Sequence, residues 1–141
     1  MFSRYVVFLA AAAAVSLLPA SAQAGHSRSG LWSTTATTTM TGMDPQTQTA
    51  TFCMTPEQAG SEGPPGGTTP GCTISNAHMD GRTYSADMVC TGQFNATGSI
   101  SATYDSDTHY SATTSLVTNG VRMTTHSDSR WLKPDCAGAE H

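Results

Sequence analysis

Polar and apolar positions alternate along much of this chain, the period of strands with one buried face. The cleanest run is residues 94–104, where Phe94, Ala96, Gly98, Ile100, Ala102 and Tyr104 fall on one side and Asn95, Thr97, Ser99, Ser101 and Thr103 on the other. Residues 30–41, GLWSTTATTTMT, put Trp32, Ala36 and Met40 on one face, and their threonines favour extended backbone. Residues 46–54 alternate Thr with Gln, Ala and Phe, and form a second strand after a turn at Met43-Asp44-Pro45. Residues 109–118 return from a turn at 105–108 with Tyr110, Ala112 and Leu116 inward. Asn119-Gly120 is the signature of a type I′ hairpin turn. A two-residue loop there opposes Leu116 to Met123 and places Val121, Met123 and Trp131 inward along the last strand.

The stretch from Cys72 to Cys90 reads as a hairpin about Asp80-Gly81-Arg82. A three-residue loop makes Met79 face Thr83, Ile74 face Met88 and Cys72 face Cys90. Directly opposed cysteines on antiparallel strands are within disulfide reach. That pairing leaves Cys53 for Cys136, tying the second strand to the end of the chain. Thr55-Pro56-Glu57-Gln58 carries a helix start, with Thr55 as N-cap, Pro56 first in the helix and Gln58 completing a capping box, but Gly60 stops it within two turns. Residues 61–71, SEGPPGGTTPG, have no period and form a flexible loop. The expected fold is therefore all-β: an antiparallel meander of about seven strands, closing into a small barrel or strongly curved sheet, stapled by disulfides.

Composition changes this picture in two ways. Residues 1–24 read as a signal peptide: Arg4, an apolar run from Tyr5 to Leu18, the breaker Pro19 and the A-x-A site Ala22-Gln23-Ala24. The run is shorter than the ~20 residues that span a bilayer. The expectation is a single exported domain over 25–141, periplasmic and not inserted in the membrane, with a frayed tail at 137–141. Within it, Leu, Ile, Val and Phe number only ten of 117 residues, well below the ~20 % of an ordinary core. Two disulfides, worth roughly 3 and 4.5 kcal/mol by chain entropy, then carry much of the stability. The exported part has five basic against ten acidic side chains, with the basic ones scattered, which argues against a nucleic-acid or anionic-membrane partner.

Candidate chemistry is sparse. The last hairpin's register sets His109 opposite Arg130, Ser111 opposite Asp128 and Thr113 opposite His126 on an outward face. A solvated strand face offers neither the buried base nor the oxyanion hole of a hydrolase, and no G-x-S-x-G turn exists. His109, His126 and Asp128 lack the spacing of a metal site. The methionines suit soft metals, but Met40, Met88 and Met123 fall inward, where Met fills core. Asn95-Ala96-Thr97 matches a glycosylation sequon, without consequence in a periplasm. No C-x-x-C supports disulfide exchange. The inward face instead mixes large residues, Trp32, Phe94, Tyr104, Tyr110 and Trp131, with Ala36, Ala96, Gly98, Ala102 and Ala112. Small inward residues either permit tight curvature or leave a lumen lined by aromatics.

Gly30-Leu31-Trp32 opening the first strand, Cys53-Met54-Thr55-Pro56-Glu57 after the second, the Cys72 and Cys90 pair and the late Cys136 make the chain resemble a bacterial exported family, the domain of unknown function 3617. Its ending, Lys133-Pro134-Asp135-Cys136, differs from the Leu-Gly-x-Cys type associated with that family. The resemblance implies a compartment and a fold, and no catalytic residues. The functional expectation is a non-catalytic monomer without cofactor or metal. It would hold a small apolar ligand on the sheet's concave face, near Trp32, Phe94, Tyr104, Tyr110 and Trp131. The alternative is an envelope protein that meets a partner through a sheet edge or the 61–71 loop.

Overall fold

The computed structural model describes residues 26–64 and 71–139. The segment read above as a signal peptide, 1–24, lies outside the described residues, as do residue 25, most of the glycine-proline loop and residues 140–141. Seven strands, β1 (Gly30–Met40), β2 (Gln46–Met54), β3 (Cys72–Asp80), β4 (Thr83–Cys90), β5 (Ala96–Ser106), β6 (His109–Thr118) and β7 (Val121–Lys133), form one antiparallel sheet. One short helix, α1 (Pro56–Gly60), interrupts them. The order across the sheet is β2-β1-β7-β6-β5-β4-β3. The last five strands are a meander, and the opening hairpin docks beside β7. The sheet curves but stays open, with β2 and β3 at its edges.

Local sequence explains most of the registers. Asn119 and Gly120 both take positive φ, 49° and 79°, as a type I′ turn requires. Leu116 then meets Met123, Thr113 meets His126 and His109 meets Arg130. The β3–β4 hairpin reaches its expected end by an unexpected route. Its turn is one residue tighter, pairing Asp80 with Thr83 and Met79 with Tyr84. A register shift between Ser75 and His78 then takes up one residue, so Ile74 faces Met88 and Cys72 faces Cys90. Asn76 makes this possible: it adopts φ 52°, and its amide donates to the Asp87 carboxylate at 2.7 Å. Both disulfides pair as expected, Cys72–Cys90 across the hairpin register and Cys53 with the remaining Cys136.

The capping box at Thr55 is formed in both directions, Gln58 N–H to Thr55 Oγ1 and Thr55 N–H to Gln58 Oε1. It turns the chain off β2 and lays α1 over the concave face. Ala59 packs there in the core with Trp32, Met54, Tyr84, Ala86, Ala102, Tyr104 and Tyr110. Gly63 follows at φ 91°, where a Cβ would stand 2.8 Å from the Tyr84 ring. After Cys136, Thr51 Oγ1 donates to the Gly138 carbonyl at 3.1 Å, and Ala139 N–H donates to the Cys136 carbonyl. β5 begins at Ala96 rather than Phe94, and Phe94 lies in the preceding loop, 46 % exposed.

Candidate ligand groove

The strand registers stack the concave side chains into rows that run across the sheet. The first joins Trp32 to Phe52 on β2 and to Trp131 on β7. The second runs Thr34, Ser129, Tyr110, Tyr104. The third is Ala36, Ser127, Ala112, Ala102, ending at Tyr84. The fourth is Thr38, Thr125, Thr114, Ile100, Ala86, and the fifth is Met40, Met123, Leu116, Gly98, Met88, Ile74. The third row, apart from Tyr84 at its end, is made of small side chains, with Tyr110 and Tyr104 in the row on one side and Thr38, Thr125, Thr114 and Ile100 in the row on the other. Space is left above the third row: a cavity of about 580 Å³, bounded by Ala112, Ser127, Thr34 and Thr114 at its centre and by Gln58 and Pro64 of the covering segment.

The two sides of this groove differ chemically. Toward β4, β5 and β6 it is apolar, with Met88, Ile100, Ala112 and Leu116. Along the β1–β7 seam it is lined with hydroxyls. Thr34 Oγ1 and Ser129 Oγ lie 2.7 Å apart, and Ser127 Oγ donates to the Ala112 carbonyl. Among the described residues, none of the lining side chains is an Asp, Glu, Lys, Arg or His. Burial raises the Tyr110 phenol above its ordinary pKa, partly offset by its hydrogen bond with Ser129. Tyr104 is raised by burial first and by the neighbouring Tyr110 and Tyr84 next. Both phenols stay protonated at neutral pH.

The five aromatics expected to form the site divide by position. Tyr110 lines the cavity. Trp32 and Tyr104 do not line it but pack behind Tyr110, each ring 5.4 Å from that of Tyr110, with Trp32 wholly buried and its Nε1–H on the Arg28 carbonyl at 2.8 Å. Trp131 does not line it either; its Nε1–H is on the Ser29 carbonyl and the Arg28 guanidinium lies 5.5 Å from its ring centre. Phe94 is far from this cluster in sequence register and lies outside every row of the concave face. The hydroxyl wall went unread in the sequence. Its signal was parity: Thr34 and Thr38 alternate with the same phase as Trp32, Ala36 and Met40.

On the convex face, the His109 ring is held on both sides. Its Nδ1 lies 2.6 Å from Asp105 and its Nε2 2.7 Å from Asp128, which also pairs with Arg130 at 3.0 Å. The hydrogen bond from His109 leads the interactions that hold the Asp128 carboxyl below its usual pKa. His126 Nδ1 is taken by the Thr113 hydroxyl at 2.9 Å. Ser111 stands opposite Asp128, whose carboxylate is already paired with His109 and Arg130. Among the described residues, no group of three or more His, Cys, Asp or Glu is placed to hold a metal ion. Met40 and Met123 are direct cross-strand partners on the concave face, while Met43 is 60 % exposed at the β1–β2 turn. No helix among them is long and apolar enough to cross a membrane.

A family model described as a protein of unknown function, DUF3617, matches residues 27–136. The chain belongs to the DUF3617 family. The match spans the whole described sheet, from the segment that caps Trp32 to the cysteine that closes the long disulfide. No curated protein and no solved structure matches this DUF3617 chain.

Proposed function

We propose that this DUF3617 protein is an exported, non-catalytic carrier that holds a small apolar ligand in the groove of its concave face. The observation that carries the reading is the row of small side chains, Ala36, Ser127, Ala112 and Ala102, with an open cavity lined by Ser127 and Ala112 above it. Curvature alone does not need it. Tight strand approach is met at Gly98, where a Cβ would fall 1.8 Å from the Ser115 carbonyl oxygen, whereas the space above Ala112 is open. Its volume is within the ~300–1,000 Å³ typical of small-molecule sites. Export is supported by the leader pattern and by two disulfides, which persist in oxidising compartments. A non-catalytic role is supported by the engagement of both His109 nitrogens.

The test is titration of the oxidised protein with an uncharged solvatochromic dye, Nile red. The expected result is saturable one-to-one binding with a blue shift, lost in Ala112→Phe and in Ile100→Trp, which fill the groove from adjacent strands. Binding that survives in both folded variants would place the dye elsewhere and sink the reading.

One observation favours a partner-binding alternative. The edge strand β2 carries no charged residue over its length, while the other edge, β3, is kinked at Asn76 and carries His78 and Asp80. An uncharged edge strand accepts an added strand. Sedimentation equilibrium of the purified chain tests self-pairing: a monomer at every concentration removes it.

A further inference from the structure

The hydroxyl wall narrows the class of ligand, an inference that rests on the groove being the binding site. Ser129 is the centre of that wall. It is 1 % exposed, and in the strand registers it stands between Thr34 of β1 and Tyr110 of β6. Its Oγ lies 2.7 Å from Thr34 Oγ1, and it hydrogen-bonds the Tyr110 phenol. All three residues line the cavity.

A row of hydroxyls has a property that charged or amide groups lack. Each O–H is both donor and acceptor, so the whole row can be polarised in either direction. The member facing the ligand can then donate to a carbonyl or accept from a hydroxyl without leaving a neighbour unsatisfied. The row cannot neutralise charge. Among the described residues, no Asp, Glu, Lys, Arg or His side chain lines the cavity, and the chain as a whole carries a formal net charge of −4. A carboxylate or ammonium entering this groove would lose its hydration with no counter-ion in return.

We propose that the groove selects an uncharged amphiphile: an apolar chain laid on Met88, Ile100, Ala112 and Leu116, with a hydroxyl or carbonyl head on the Thr34–Ser129–Tyr110 row. Alkyl ester, amide and alcohol heads fit this description, and free fatty acids and alkylamines do not.

Displacement of Nile red by four ten-carbon probes tests the proposal at about pH 8, where an ordinary carboxylic acid is ionised. The probes are 1-decanol, decanoate, decylammonium and 1-chlorodecane. The expected order has 1-decanol competing at a concentration more than about tenfold below decanoate and decylammonium. Loss of the head contact in Ser129→Ala should weaken 1-decanol by about three- to tenfold while leaving 1-chlorodecane unchanged. Tyr110→Phe, which keeps the ring in the core, should narrow the same alcohol-to-chloride ratio if Ser129→Ala folds poorly. Decanoate or decylammonium competing as well as 1-decanol overturns the neutral-ligand proposal and leaves the carrier reading standing. An alcohol-to-chloride ratio unmoved in both variants overturns the role of the hydroxyl row. No displacement by any probe overturns the proposal together with the carrier reading.

Discussion

Removing the Cys53–Cys136 bridge is the perturbation whose cost follows most directly from the chain's connectivity. That bridge spans a sequence separation of 83, and Cys72–Cys90 one of 18. A cross-link restricts the unfolded chain by an entropy that grows with the logarithm of the loop, which gives about 3.2 kcal/mol for the short loop and about 4.6 kcal/mol for the long one. The short loop is nested within the long one, so with both closed the long bridge constrains only about 65 free links and contributes about 4.3 kcal/mol. Against a total of ~5–15 kcal/mol for a small domain, that is a large share. The long bridge also gives the cleaner experiment. Cys53 is exposed and Cys136 half-buried, whereas Cys90 is buried beside Met88, Ala96 and Leu116, where an alanine would cost packing as well. Urea unfolding of the oxidised protein and of the double variant Cys53→Ala/Cys136→Ala should show a loss of about 4 kcal/mol. The m-value should rise, because the unfolded chain expands without its cross-link. A loss under about 1 kcal/mol at unchanged m would refute the entropic reasoning. It would mean that native contacts such as Thr51 to Gly138 anchor the tail and that the bridge adds little.

Three further outcomes follow from particular residues. Trp32→Ala, at a wholly buried ring whose indole N–H is hydrogen-bonded, should cost about 3–5 kcal/mol by chemical denaturation. Gly98→Ala brings a methyl within 1.8 Å of the Ser115 carbonyl, so β5 and β6 must part; a loss of about 1–3 kcal/mol is expected, while Gly120, whose Cβ position is open, is limited only by its positive φ. Asp128, whose carboxyl is held below its usual pKa chiefly by His109, contributes stability that is complete above its unfolded pKa near ~3.9 and fades as pH falls through the lower folded value. Asp128→Asn should therefore lose stability near neutrality, and that difference should vanish in the acid limb of a thermal-melt series below about pH 4.

What could be read in the sequence was what local chemistry decides. Asn119-Gly120 fixes a turn with two positive φ angles, and the turn fixes every pair from Thr118–Val121 down to His109–Arg130. The same holds for the capping box at Thr55. The docking of β1 beside β7 was not legible, because its register is set by packing partners about a hundred residues apart, as in Thr34 with Ser129. The bulge at Asn76 was hidden for a different reason: a tighter turn and an inserted residue cancel, so the cysteine register comes out the same. Phe94 was misplaced because its parity matches β5, yet the strand begins after it. The groove was half legible. Its alanines and aromatics declare an inward face by hydrophobicity, but its threonines and serines on the same face do not. Asp105 as a partner of His109 depends on the irregularity between Tyr104 and Ser106, which no periodic pattern reveals.

The central claim is that the concave face, and not the threonine-rich convex one, takes up an uncharged apolar ligand. Methyl-detected NMR of the oxidised protein titrated with 1-decanol tests it most directly. The account predicts saturable shifts at Met88, Ile100, Ala112 and Leu116, which line the cavity, with the exposed Val89 and Leu132 unmoved. Shifts confined to Val89 and Leu132, or no saturable shift at any methyl, would contradict it.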